Sequence, residues 1–284
     1  MTAPVIRNIS DTAAWVAIFR AMETERSEPL FRDPYARRLA GKRGEEIMEK
    51  VGRAKSHAWS YTMRTYLVDQ LVEQEIRNGA DMVVNLAAGL DARPYRMKLP
   101  ESLQWVEIDL PPLLEYKEQN LRNETPVCRL RRIPLDLADV AARRPLFAEL
   151  GRSARRIMVI SEGLIVYLGA DEACALARDL AAAPAFQRWA TDLINPRLLE
   201  MLRKQVGSDL ENAGAPLKFA PAEGPDFFIP CGWRPVEVRS MFREAANLKR
   251  LPFPLNLFAF LPDAKPGGKQ PWGGICLLGR ISPS

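Results

Sequence analysis

An apolar run, Met82-Val83-Val84-Asn85-Leu86, runs into a turn of small residues, Ala87-Ala88-Gly89-Leu90-Asp91. Twenty residues past Gly89 an acid, Asp109, ends a second apolar run, Leu103-Gln104-Trp105-Val106-Glu107-Ile108. A small-residue turn lets backbone approach a ligand closely. A carboxylate at the tip of the next strand takes ribose hydroxyls, and doubly wound sheets hold adenosine-type ligands with this pairing. The chain has no G-x-G-x-x-G and no G-x-x-x-x-G-K-[ST]. The cradles for a dinucleotide pyrophosphate and a nucleoside triphosphate therefore lose support, and a nucleoside without phosphates fits better.

Four further positions carry chemistry. Arg64 shares the face of Ser60, Leu67, Val68 and Leu71 on a helix predicted from His57 to Arg77. A guanidinium on an inward stripe needs an anion, either from a ligand or from a core carboxylate, unless its head snorkels to water. Arg20, on the first helix, is a weaker candidate for a similar task and reads more readily as a surface charge. Asp136 and Leu137 follow a strand predicted over Val127 to Ile133. There the carboxylate can accept from an exocyclic amine such as adenine N6, with the Leu137 N–H offered to a ring nitrogen. Equally, Asp136 or Asp139 can cap the helix starting near Val140. A strand from Arg156 to Ser161 delivers Glu162 and Gly163 to the carboxyl edge of the sheet, where ligands bind in open α/β folds. Glu162 can meet a cationic group or pair locally. Tyr167 is either a pocket wall or a catalyst.

The motifs NLAAGLDARPYRM, WVEIDLP, Pro134-Leu135-Asp136-Leu137 and Ser161-Glu162-Gly163-Leu164-Ile165-Val166-Tyr167-Leu168 occur in that order. Together they resemble the leucine carboxyl methyltransferase-like family of S-adenosylmethionine-dependent methyltransferases, with its bacterial polyketide-type O-methyltransferase branch as the nearer match. The resemblance extends over roughly the whole chain. It implies a Rossmann-like seven-stranded sheet with an antiparallel last strand and a helical N-terminal cap. The implied cofactor is S-adenosylmethionine, held by Arg64, Ala87, Gly89, Asp109, Leu110, Asp136, Leu137 and Glu162. Arg64 would grip the carboxylate of the methionine part. Tyr167 is the candidate catalytic residue, with Asp192 a more remote base. The chain departs from the family at Ala87 or Ala88, where glycine is usual.

The implied reaction is O-methylation of a carboxylate or hydroxyl on a small molecule. Two alternatives stand beside it: carboxyl methylation of a protein C-terminus, and a cofactor-binding but inactive interaction protein, toward which only Ala87-Ala88 leans. Methyl transfer is an in-line displacement that chiefly needs positioning. A carboxylate acceptor needs no base, whereas a phenol or alcohol benefits from one. The single histidine, His57, stands upstream of the expected pocket, and its scarcity favours a carboxylate or pure proximity.

These residues need a large α/β scaffold, and 284 residues suffice to bury one. Hydrophobic content of 47% and charged content of 26% suit a globular protein. The net charge of +5 is spread along the chain and no nucleic-acid module is visible. Residues 1–80 read as the cap and 81–284 as the cofactor-binding core, with a Pro- and Gly-rich substrate loop at about 207–235. A helix is expected over Val236 to Asn247 and a sixth strand over Leu255 to Leu261. A hairpin-type connection and a last strand from Gly274 to Ile281 would follow. Cys128, Cys174, Cys231 and Cys276 lie far apart and with one histidine offer no zinc pattern, so no metal is expected. Reduced thiols, a cytoplasmic location, a small-molecule acceptor and no membrane or nucleic-acid partner complete the expectations.

Overall fold

The computed structural model describes residues 9–50, 58–212 and 214–282. Three helices precede the sheet: α1 (Ile9–Thr24), α2 (Ala36–Lys50) and α3 (Ala58–Arg77). The sheet then alternates with helices as β1 (Met82–Leu86), α4 (Arg93–Arg96), β2 (Gln104–Asp109), α5 (Pro111–Leu121), β3 (Arg129–Pro134), α6 (Val140–Ser153), β4 (Ile157–Ser161), α7 (Ala170–Ala181) and β5 (Phe186–Ile194). The chain ends with α8 (Pro196–Asn212), β6 (Trp233–Ser240), α9 (Met241–Asn247) and β7 (Gly273–Arg280). Strand order is β3-β2-β1-β4-β5-β7-β6. The first five are parallel, and β7 runs antiparallel to both β5 and β6.

Residues in β1 alternate between the two faces of the sheet. Val84 and Leu86 pack with Ile108, Phe147, Leu176 and Trp189 under α6 and α7. Val83 packs with Trp105, Met158, Leu67 and Leu71 under α3. With helices on both faces the central strands are mostly apolar on both sides, as is usual for parallel strands. One core strand still carries a charge. Glu107 is fully buried, and it accepts from buried Lys117 at 2.7 Å and from Arg132 Nε at 2.9 Å, which supplies the partners that a buried carboxylate needs. The strand order reverses between β1 and β4, and their register sets Leu86 beside Ser161 and Ile108. The turn after β1, Asp109 and Glu162 therefore reach the same carboxyl edge.

Several expectations are corrected. The sixth strand is Trp233–Ser240, inside the region expected to begin a helix. Its pleat turns Arg239 toward Gln70 and Gln74 of α3 while Val236 and Val238 face outward, and it pairs the open edge of β7. The helix starts only at Met241, capped by the Ser240 hydroxyl. Residues Leu255–Phe258 form a 3₁₀ turn rather than a strand. Within α2 the helical path breaks at Gly41, which takes φ 57°, and a second helical stretch follows it to Lys50. Arg20 is buried: its Nε pairs with Asp33 at 2.9 Å and its Nη2 donates to the Leu90 carbonyl at 2.6 Å. Cys174 and Cys231 form a disulfide that ties α7 to the turn before β6, while Cys128 and Cys276 are free and buried. The fold brings together two cysteines 57 residues apart, a proximity that sequence spacing could not reveal. The reading of His57 falls outside the described residues.

Thiol titration of the denatured, unreduced protein should therefore find the two thiols of Cys128 and Cys276. Reduction should add those of Cys174 and Cys231. Four reactive thiols before reduction would show the bridge to be absent.

Candidate functional site

A cavity of about 1310 Å³ opens at the carboxyl edge of the sheet. Arg64, Ala87, Gly89, Asp109, Leu110, Asp136, Leu137, Glu162 and Tyr167 all line it. Residues scattered over about a hundred positions of sequence thus share one space because parallel strands all point their carboxyl ends the same way.

The turn after β1 holds its shape through two left-handed residues, Ala87 and Gly89, each with φ 50°. For alanine that conformation costs about 1–2 kcal/mol. Its neighbour Ala88 is buried, and its N–H donates to the Ile108 carbonyl at 3.2 Å. The turn therefore closes with alanine at the position where glycine would bend freely. Gly89 N–H donates to Asp109 Oδ2 at 2.6 Å, and Leu110 N–H to Oδ1 at 2.7 Å. Burial pushes the Asp109 carboxyl above its usual range, an effect these two N–H groups partly offset.

Beside the turn lies a chain of buried charges. Arg64 of α3 donates Nε to Glu162 Oε1 at 3.1 Å and Nη1 to Asp192 Oδ2 at 3.2 Å, and lies over the Tyr61 ring. Glu162 Oε2 accepts from Arg93 Nη2 at 2.9 Å. Arg93 also reaches Asp91 at 2.8 Å and Asp69 at 2.6 Å, and Arg96 grips the same Asp69 at 2.7 Å. Burial works against the charge on Arg64, but Asp192 and Glu162 outweigh it and raise its pKa. Burial likewise opposes the charge on Glu162 and Asp91. Arg93 and Arg64 nevertheless hold Glu162 below its ordinary value, and Arg93, Lys117 and Arg96 do the same for Asp91. Gly163 makes the Arg64 contact possible: it sits at φ 70°, and a methyl group there would lie 3.0 Å from Arg64 Nη1. Its N–H donates to Asp192 Oδ1 at 2.7 Å.

Two open readings resolve at the other end. Asp139 caps α6, accepting from Ala142 N–H at 3.0 Å, so the cap role falls to it. Asp136 accepts from Ala138 N–H at 2.9 Å and faces the cavity. The Tyr167 hydroxyl is hydrogen-bonded to Thr12, and burial drives its pKa upward, so it is a neutral phenol at neutral pH. Past these groups the wall is apolar: Trp15 and Val16 of α1, Leu198, Leu202 and Val206 of α8, and Phe219.

Sequence reasoning missed Asp69, Asp91, Arg93 and Arg96. The run Asp91-Ala92-Arg93-Pro94-Tyr95-Arg96 carried a signal, because charges this dense immediately after a core strand must be paired if they are buried.

The leucine carboxyl methyltransferase family pattern matches residues 13–181. A Frankia alni protein named as a candidate S-adenosyl-L-methionine-dependent methyltransferase is 36% identical over 185 residues, which cover 61% of this chain and 64% of that one. A Streptomyces avermitilis protein with the same description is 33% identical over 235 residues, or 78% of this chain and 80% of that one. The chain spans 60% to 64% of the length of three relatives, those from Frankia alni, Mycobacteroides abscessus and Streptomyces coelicolor. A solved structure of a DUF574 family protein from Streptomyces avermitilis shares the fold, with a TM-score of 0.56 at 16% identity over 94% of this chain and 97% of that one.

Two outcomes follow from the geometry. Ala87→Val should weaken nucleoside binding by more than about tenfold, since a β-branched residue resists positive φ, while Ala87→Gly should bind at least as well as wild type. Calorimetric titration distinguishes them. Separately, Glu162 and Asp91 have depressed pKa values when folded, so the stability they confer is complete above the ordinary carboxylate range and is lost as pH falls below it. Urea unfolding between about pH 7 and pH 3 should show this loss, and Glu162→Gln should flatten it and lower stability at pH 7 by about 3 kcal/mol.

Proposed function

The chain belongs to the leucine carboxyl methyltransferase family of S-adenosylmethionine-dependent methyltransferases, and from that premise we propose that it methylates an oxygen, preferably a carboxylate oxygen, of a small molecule. The observation that carries the cofactor assignment is Asp109. Its carboxylate is fixed by the N–H groups of Gly89 and Leu110 at the cavity wall, twenty residues past the turn. An immobilised acceptor of this kind suits vicinal ribose hydroxyls.

The remaining residues fit the same molecule. Asp136 and the Leu137 N–H suit an adenine edge, with Leu110 and Leu135 as apolar walls. Arg64 uses Nε and Nη1 on Glu162 and Asp192, which leaves Nη2 without a hydrogen bond among the described residues and available to an amino-acid carboxylate. Glu162, negative beside two arginines, offers its field to the ammonium. The cofactor, when bound, supplies a methyl already activated on a sulfonium. The protein then has to align an acceptor oxygen and exclude water. Residues 1–80 act as a cap in this reading, since α1 contributes Thr12, Ala13, Trp15, Val16 and Arg20 to the cavity wall. The segment at about 207–235 acts as the substrate loop through Leu217 and Phe219.

The preference for a carboxylate rests on the groups around the cavity. The Tyr167 phenol is held neutral by burial, and Asp192 is engaged by Arg64 and Gly163. An acceptor already ionised needs none of them as a base. Tyr167 serves as a hydrogen-bond donor that orients the acceptor.

Titration with S-adenosylmethionine should give binding in the wild type and at least about a hundredfold weaker binding in Asp109→Ala, the scale expected when a buried acceptor of two hydroxyls is lost. Turnover of carboxylic acids should be nearly flat between about pH 6 and 8. A rise in rate through that window would mean a titrating base and a hydroxyl acceptor. Absence of binding by folded wild type would overturn the assignment.

A further inference from the structure

Residues 251–262 read Leu-Pro-Phe-Pro-Leu-Asn-Leu-Phe-Ala-Phe-Leu-Pro, with Asn256 the one polar side chain. A run so apolar belongs inside a protein, yet Phe253 is 79% exposed, Phe260 81%, Leu257 55%, Phe258 48% and Leu261 40%. Scattered apolar residues on a surface are ordinary, but a cluster of large ones in one short segment marks a contact surface. Phe253, Leu255, Phe258 and Leu261 also line the cavity, so the segment forms its lip.

The lip's composition and charge indicate what covers it. A protein partner would be expected to form about one hydrogen bond per 100–200 Å² of interface, and a single asparagine side chain cannot supply that. Part of the backbone is already paired within the segment. Asn256 N–H donates to the Pro252 carbonyl, Leu257 to Pro254, Ala259 to Asn256 and Leu261 to Phe258. Arg243 reaches across to the carbonyls of Ala259 and Leu261, and Pro252, Pro254 and Pro262 have no N–H to satisfy. Each such pairing lowers the cost of bringing the segment against hydrocarbon. The flanks are cationic: Lys249, Lys265 and Lys269 are exposed, and the one carboxylate between residues 248 and 270, Asp263, is bonded to the Ser240 hydroxyl at 2.9 Å.

We propose that residues 251–262 dock the protein on an anionic lipid bilayer. Phe253, Leu257, Phe258 and Phe260 enter the interfacial zone, while Lys249, Lys265 and Lys269 face the headgroups, so that the cavity mouth opens onto lipid. No described helix is long and apolar enough to cross a membrane, and surface docking requires none. The proposal does not depend on which oxygen is methylated.

Flotation of the full chain with phosphatidylcholine vesicles containing about 30% phosphatidylglycerol tests it. Wild type should float with these vesicles, less with pure phosphatidylcholine, and less in high salt. Phe253→Ser/Phe260→Ser should lose more than about tenfold of the binding, and so should Lys265→Glu/Lys269→Glu. All four side chains are exposed, so thermal melting of both variants should match wild type. Wild type that stays with the free protein, or a phenylalanine variant that floats equally well, overturns the proposal. So does a wild-type dimer that becomes monomeric in the phenylalanine variant without any flotation, because the patch would then be an interface between copies.

Discussion

The chain of buried charges from Asp192 through Arg64, Glu162, Arg93, Asp91 and Asp69 to Arg96 is the constraint on which the site depends. Its seven members come from five parts of the chain: α3 supplies Arg64 and Asp69, the turn after β1 supplies Asp91 and α4 the two further arginines, the β4 end supplies Glu162 and β5 supplies Asp192. Buried ion pairs seldom add net stability over apolar packing, yet removing one partner leaves a charge that water cannot reach. The network therefore acts as a register device. It fixes where α3 lies on the sheet, because a displaced α3 would take Arg64 away from Glu162 and Asp192, and Asp69 away from Arg93 and Arg96.

A second latch works on the opposite side of the turn. Arg20 of α1 is buried against Asp33 and holds the Leu90 carbonyl, so the first helix is pinned to the segment that bends beneath the ligand. Between the two latches lies a turn that tolerates alanine at a positive φ. The strain of Ala87 is of the order of a single hydrogen bond, and its surroundings, from the Ala88–Ile108 bond to the Gly89–Asp109 bond, over-determine it. The departure from the family pattern therefore leaves the turn intact.

The cavity combines a charged end and an apolar end. The polar groups cluster where the strands terminate, and the helical elements α1 and α8 contribute mainly hydrocarbon. That division is common to ligand sites, where a few placed polar groups fix orientation within an apolar enclosure. It also explains why the acceptor was not legible. Apolar walls carry no residue-level signature of what they would hold.

The amino-acid sequence alone determined the central strands, because β1, β2 and β4 are short apolar runs with acids or small residues at their ends, and burial on both faces leaves few alternatives for such runs. It also put Gly89, Asp109, Asp136 and Glu162 just past strand ends, which a parallel sheet brings to one edge. The edge was decided by tertiary structure. Trp233–Ser240 is a strand because β7 offers an edge to pair, whereas the apolar 251–262 run, whose prolines at 252, 254 and 262 have no N–H to give a ladder, holds a 3₁₀ turn instead. Pairings across long separations were likewise decided only in three dimensions. Neither the partners of Arg93 nor the Cys174–Cys231 bridge can be read from spacing, because a charge or a thiol specifies what it needs beside it but not which distant residue the fold will bring.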